Sequence, residues 1–227
     1  MVHRPPGPAS HTTSANVSRI FLLSPASCSG RRAQILLREQ ASFDLAVRLR
    51  AGGVSLAEAF TFMSGLYFRG KAAYARAFAN PPHGAEGALV ITPARGLVPM
   101  DTTVDVAELC TYADVPIALD EPRYRDPLVA SADALARSIS DATDVVLLGS
   151  IASDKYVGIL LDHFGDRLLF PADFVGRGDM SRGGLLLRCV DAGTELEYIP
   201  VRGATRRGSR PPSHDRARRG CRCPWRT

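Results

Sequence analysis

At 227 residues with 45% hydrophobic side chains, the chain has the length for one domain with its own core. It holds no apolar run near the ~20 residues that cross a bilayer. Its formal net charge of +5 is unevenly placed: residues 202–227 carry nine Arg against one Asp and residues 1–19 carry two Arg and no acid, which leaves −5 for residues 20–201. A broad basic face for duplex DNA is therefore not implied by the pI of 9.2, because the basic character lies in the ends and the body is mildly acidic.

The five Cys stand at 28, 110, 189, 221 and 223, and the five His are scattered. Apart from Cys221-Arg222-Cys223 none has paired ligand spacing, so no metal is expected, and no cofactor signature stands out. An odd cysteine count without a secretion-type apolar leader reads as reduced thiols in a cytoplasmic protein.

Residues 1–17, rich in Pro, Ser and Thr, read as a disordered tail. A buried strand over residues 18–23 halts at Ser24-Pro25-Ala26-Ser27. A short apolar segment follows at 35–37, then a helix over 42–50 that Gly52-Gly53 ends. Ser55 with Glu58 three residues on forms a capping box for the next helix. Residues 64–71 read as a polar, Gly-containing stretch, and a further helix is predicted over 72–79. The apolar run Ala88-Leu89-Val90-Ile91 is a second buried strand, again closed by a polar turn, Thr92-Pro93-Ala94-Arg95. A short strand is predicted near 115–117, and a helix over 128–140 with Leu128, Ala132, Leu135 and Ile139 in register.

The third apolar run, Val145-Val146-Leu147-Leu148, breaks at Gly149-Ser150 and leads to Ser153-Asp154-Lys155-Tyr156 at a helix start. After a helix to about residue 164 and a strand at 168–170, a glycine-rich turn carries Arg177, Asp179, Ser181 and Arg182; a final strand is predicted over 194–201. Strands alternating with helices, three of them continuous apolar runs, predict an α/β fold: a single three-layer domain over 18–201 with a mostly parallel central sheet. Residues 202–227 form a basic low-complexity tail.

Parallel strands would gather the three polar breaks on one rim, where helix N-termini bind anions. Only Lys71 and Lys155 occur among 28 basic residues. Lys has a tunable pKa that Arg lacks, so these two read either as proton-transfer or imine lysines or as surface lysines left by chance. Arg177 and Arg182 suit phosphate or carboxylate at a glycine-loosened turn; the structural reading instead has Asp179 pairing with one of them to lock a loop. Cys28 reads as a nucleophile or as a buried thiol. Ser150, Ser153 and His163 lack the Gly-x-Ser-x-Gly elbow of a hydrolase, and no dinucleotide fingerprint is present.

Five islands in order carry a resemblance: Leu23-Ser24-Pro25-Ala26, Gly65-Leu66-Tyr67-Phe68-Arg69-Gly70, Arg95-Gly96-Leu97-Val98-Pro99-Met100-Asp101, Ala152-Ser153-Asp154-Lys155-Tyr156, and Arg177-Gly178-Asp179-Met180-Ser181-Arg182. Together they resemble the YaaA-type peroxide-stress proteins and a wider superfamily, some of whose domains are attached to deazaguanine-modification enzymes. The resemblance implies an α/β fold with a positively lined cleft that binds DNA or a nucleobase, and a role in limiting oxidative DNA damage. Carried over, the cleft residues would be Ser24, Pro25, Tyr67, Arg95, Ser153, Asp154, Tyr156, Ser181 and Arg182. The chain departs from that pattern at Ser27, where a Lys is usual, and at Lys155, where an acid is usual.

The expectation is thus a cytoplasmic protein whose strand-end rim takes a nucleobase, a nucleotide or a short single-stranded nucleic acid, with no membrane association. Arg95, Arg177 and Arg182 would meet phosphate, and Tyr67 or Tyr156 would stack on the base. Arg95, Asp154, Lys155 and Arg182 would converge on one pocket. The alternative is an enzyme acting on a nucleobase or glycosidic bond, with Asp154 as acid/base and Lys155 orienting or attacking.

Overall fold

Apolar runs that are buried on both faces organise the fold, seen in a computed structural model that describes residues 17–204 apart from residue 153. In chain order the elements are β1 (Arg19–Leu23), α1 (Arg31–Leu36), α2 (Asp44–Gly52), β2 (Val54–Ser55), α3 (Leu56–Ser64), α4 (Leu66–Phe78), β3 (Ala88–Thr92), β4 (Gly96–Pro99), β5 (Thr103–Val104), α5 (Val106–Asp114), α6 (Pro122–Ser138), β6 (Asp144–Leu148), α7 (Asp154–Phe164), β7 (Leu168–Pro171), α8 (Asp179–Ala192) and β8 (Tyr198–Pro200).

Six strands form one sheet in the order β4-β3-β1-β6-β7-β8. β1 pairs in parallel with β3 and with β6, and β6 in parallel with β7. The edge strands β4 and β8 are antiparallel. α4 lies on β1 and β3 with α8 packed across it, whereas α6 lies on β3 and β4 and α7 on β7. The mostly parallel three-layer α/β architecture follows from β1, β3 and β6, whose central residues have no exposed edge or face on which to place a polar side chain.

Local chemistry sets some boundaries. Ser55 accepts from the Glu58 amide, and Glu58 reaches back to the Ser55 amide, starting α3 as the capping box predicts. Several sequence expectations differ from the fold: α6 begins at Pro122, not at residue 128, and the last strand covers only Tyr198–Pro200. α4 begins at Leu66, not at residue 72, and runs through Gly70 and Lys71. Its glycine marks a close approach instead of a break: a Cβ on Gly70 would lie 2.7 Å from the Gly183 carbonyl oxygen, and a Cβ on Gly183 would lie 2.7 Å from that of Leu66. Residues 92–95 do not lead into a helix. They turn β3 into the hairpin strand β4, with the Thr92 hydroxyl donating to the Gly96 carbonyl at 2.9 Å and accepting from the Arg95 amide at 3.0 Å.

The predicted strand near 115–117 is the irregular exit of α5, which Asp105 caps by accepting from the Glu108 amide at 2.8 Å. α8 runs from Asp179 to Ala192, and Gly193 closes it in the left-handed region (φ 62).

Candidate functional site

Strand register brings the first and third polar breaks side by side. Leu23 pairs with Leu148, so Ser24 and Gly149 leave the sheet together, and the Ser24 amide donates to the Leu148 carbonyl at 3.2 Å. From β1 the chain crosses toward β3; from β6 it crosses toward β7, on the other side. The β1/β6 pair is therefore a topological switch point, where an open parallel sheet leaves a crevice at its carboxyl ends. A cleft of about 790 Å³ opens there.

Its floor is built on Lys71, 1% exposed although it is a lysine. The Lys71 amine donates to the Ser24 carbonyl at 2.5 Å and lies 2.9 Å from the Ser24 hydroxyl. The Tyr67 and Phe68 rings flank it at 4.6 and 4.7 Å. Burial pushes Lys71 down to about 7; Asp179 acts in the opposite sense and Arg182 adds to the fall. Ser24, 7% exposed, is reached from the cleft.

Three tyrosines line the space. Tyr67 is 5% exposed, and its hydroxyl has no hydrogen-bond partner among the described residues; burial raises its pKa, with Arg182 opposing. The Tyr156 hydroxyl donates to the Ser150 carbonyl at 2.9 Å, and burial raises its pKa against the pull of that bond and of Ser24. Gly149 leaves room for this packing: a Cβ there would lie 2.9 Å from the Ser24 Cβ and 3.0 Å from the Tyr156 hydroxyl oxygen. Tyr112 donates to Glu108 at 2.6 Å. Lys155 and Asp179 stand at the exposed rim.

The predicted residues separate into two groups. Ser24, Pro25, Tyr67, Lys155 and Tyr156 line the cleft, with Lys71 directly bonded beneath it. Arg95, Arg177, Ser181 and Arg182 are not in its lining. Arg95 pairs with Glu108 outside it. Arg177 donates to the Asp173 carbonyl at 2.8 Å and lies 3.4 Å from the Ser181 hydroxyl. Arg182 donates to the Phe174 carbonyl at 3.0 Å, lies over the Phe174 ring and sits 3.8 Å from Asp179.

These arginines lock loops, and of the four side chains expected to converge, Lys155 alone lines the cleft. The reason is local for Arg177 and Arg182, each of which finds a carboxylate and a carbonyl within eight residues of its own position, whereas Arg95 is taken up by Glu108 on α5. Asp154 is exposed on the first turn of α7 and outside the lining. Ser153 lies outside the described residues.

Cys28 faces the cleft, but burial pushes its thiol up to about 12, so it is not a thiolate. His163 bonds the Ile159 carbonyl of its own helix at 2.7 Å. Sequence reasoning did not single out Ser64 or Tyr112, both in the lining; for Tyr112 the signal was available, three residues after the buried Leu109 on one face of α5. Among the described residues no three His, Cys, Asp or Glu side chains gather into a metal-binding cluster, and no helix is long and apolar enough to cross a membrane. No protein-family model, curated protein or solved structure matches this chain.

Proposed function

We propose that the cleft at the ends of β1 and β6 binds a nucleobase or nucleoside, as a YaaA-like protein serving nucleic-acid protection. The observation that carries this reading is the composition of the cleft: tyrosine rings beside seryl hydroxyls and backbone groups, in a volume of about 790 Å³, with no arginine among the described residues that line it. A planar, uncharged ligand that hydrogen-bonds through its edges suits such walls. Stacking on a tyrosine contributes ~1–3 kcal/mol. A polyphosphate lacks the arginine forks it would need, which moves the reading away from nucleotides and duplex DNA and toward the base itself.

A thermal-shift panel of nucleobases, nucleosides, nucleotides and short single strands on the full chain tests it. Bases and nucleosides are expected to raise the unfolding temperature, with a response nearly independent of salt, and added phosphates to bring no gain. A response to strands alone, falling steeply as salt rises, would instead place binding in the basic tail.

A further inference from the structure

We propose that Ser24 and Lys71 form a nucleophile–base pair, and that the cleft carries out acyl transfer on a small ester or amide through an acyl-Ser24 intermediate. Three observations bear on it. The Lys71 Nζ lies 2.9 Å from the Ser24 Oγ, within the range for proton transfer between base and nucleophile. The amine also donates to the Ser24 carbonyl at 2.5 Å. That bond fixes one N–H and leaves the lone pair of a neutral amine for the hydroxyl proton. Finally, Ser24 opens to the cleft while Lys71 is sealed behind it, so the base is held away from water and the nucleophile is presented to a ligand.

A lysine acts as a base only when neutral, and burial supplies that condition near neutral pH. The groups facing it are Tyr67 on its own helix, Ser24 after β1, and Asp179 and Arg182 from α8; Tyr156 from α7 adjoins Ser24. Asp179 holds the proton on and Arg182 drives it off, and neither outweighs burial.

In the reaction the Ser24 oxygen attacks the carbonyl carbon as its proton passes to Lys71. The carbonyl π pair moves onto oxygen, where the Tyr67 hydroxyl, buried in the same cleft with no hydrogen-bond partner among the described residues, is the available donor. Collapse expels the alcohol or amine, which takes the proton from Lys71, and the acyl group remains on Ser24. Water then attacks the acyl carbon, giving its proton to Lys71, and the departing Ser24 oxygen recovers a proton from the same amine. Acid, alcohol or amine and free enzyme result, with no other reactant than water.

The test uses a fluorophosphonate probe on the full chain, read by intact mass and peptide mapping. Attack forms a Ser–O–P bond, releases fluoride and passes the hydroxyl proton to Lys71. A single adduct on Ser24 is expected, with a rate rising about tenfold from about pH 6 to about pH 8 as the amine loses its proton. Ser24→Ala should abolish it. Lys71→Arg, which keeps the charge and cannot serve as base, should reduce labelling by at least about a hundredfold. Mapping and the pH profile need only the native chain, so a Lys71 variant that fails to fold leaves the test intact. No Ser24 adduct at about pH 8, an adduct on Ser27, Ser29 or Ser150 in its place, or a Ser24 rate flat with pH would each overturn the proposal. Nucleobase binding is read separately by thermal shift, so either idea can fail without the other.

Discussion

At the residue scale, Lys71 links stability to pH. Unfolded, its ammonium has the ordinary value of 10.5; folded, it sits at about 7 because burial strips its hydration. Between those values the unfolded chain binds the extra proton, so the contribution of this group to stability rises with pH above about 7 and is flat below it. Cys28 acts in the opposite sense above its ordinary 9.0, and the buried tyrosines do so higher still, so the clean window ends near about pH 8.5. Within that window urea denaturation should show a gain of about 2 kcal/mol, at ~1.4 kcal/mol per pH unit, and Lys71→Met should abolish the slope. An unchanged slope in the variant would mean that another group titrates there.

At the element scale, the crossing of α4 and α8 builds the rear wall of the site. Gly70 and Gly183 let the two backbones approach so closely that a Cβ at Gly183 would fall 2.7 Å from the Leu66 carbonyl oxygen and 2.8 Å from the Tyr67 Cα. The clash is with backbone, which cannot rotate aside. Gly183→Ala should therefore cost about 1–3 kcal/mol in urea unfolding. It should also weaken ligand-induced thermal shifts, since Tyr67 sits on one helix and Asp179 on the other. Gly184→Ala is the control: its nearest neighbour is the end of the flexible Arg188 side chain at 3.4 Å, and it should leave both measurements nearly unchanged.

At the scale of the whole molecule, charge and cleft are separable. Residues 205–227 hold eight Arg and one Asp, so removing them takes the formal charge from +5 to −2. The cleft lining lies between Ser24 and Asp179. The truncated chain should lose most of its salt-sensitive retention on heparin and on single strands. Its thermal shift with nucleosides should match that of the full chain. Loss of both together would tie the ligand site to the tail.

Much of the fold is legible in the sequence because its strongest signals are local or periodic. Continuous apolar runs at β1, β3 and β6 declare strands buried on both faces, and the Ser55–Glu58 spacing declares a helix start. Parallel pairing then places the polar breaks after β1 and β6 on one rim, and Ser24, Tyr67, Lys155 and Tyr156 were reached from that logic and from the five islands. Gly70 misled, because a glycine that permits helix contact looks the same in sequence as one that ends a helix. The arginines misled for a related reason: a guanidinium reads as a free anion site until the carboxylates and carbonyls around it are placed.

What the sequence determined alone was the class of fold, the position of its rim and the uneven spread of charge, since each depends on near neighbours or on sums. Tertiary structure decided which polar groups face the cleft, which arginines are spent on loops, and that Lys71 meets Ser24 across 47 residues of chain. Those outcomes depend on helix crossing and strand register, which bring distant residues within hydrogen-bond range and leave no trace in the local pattern.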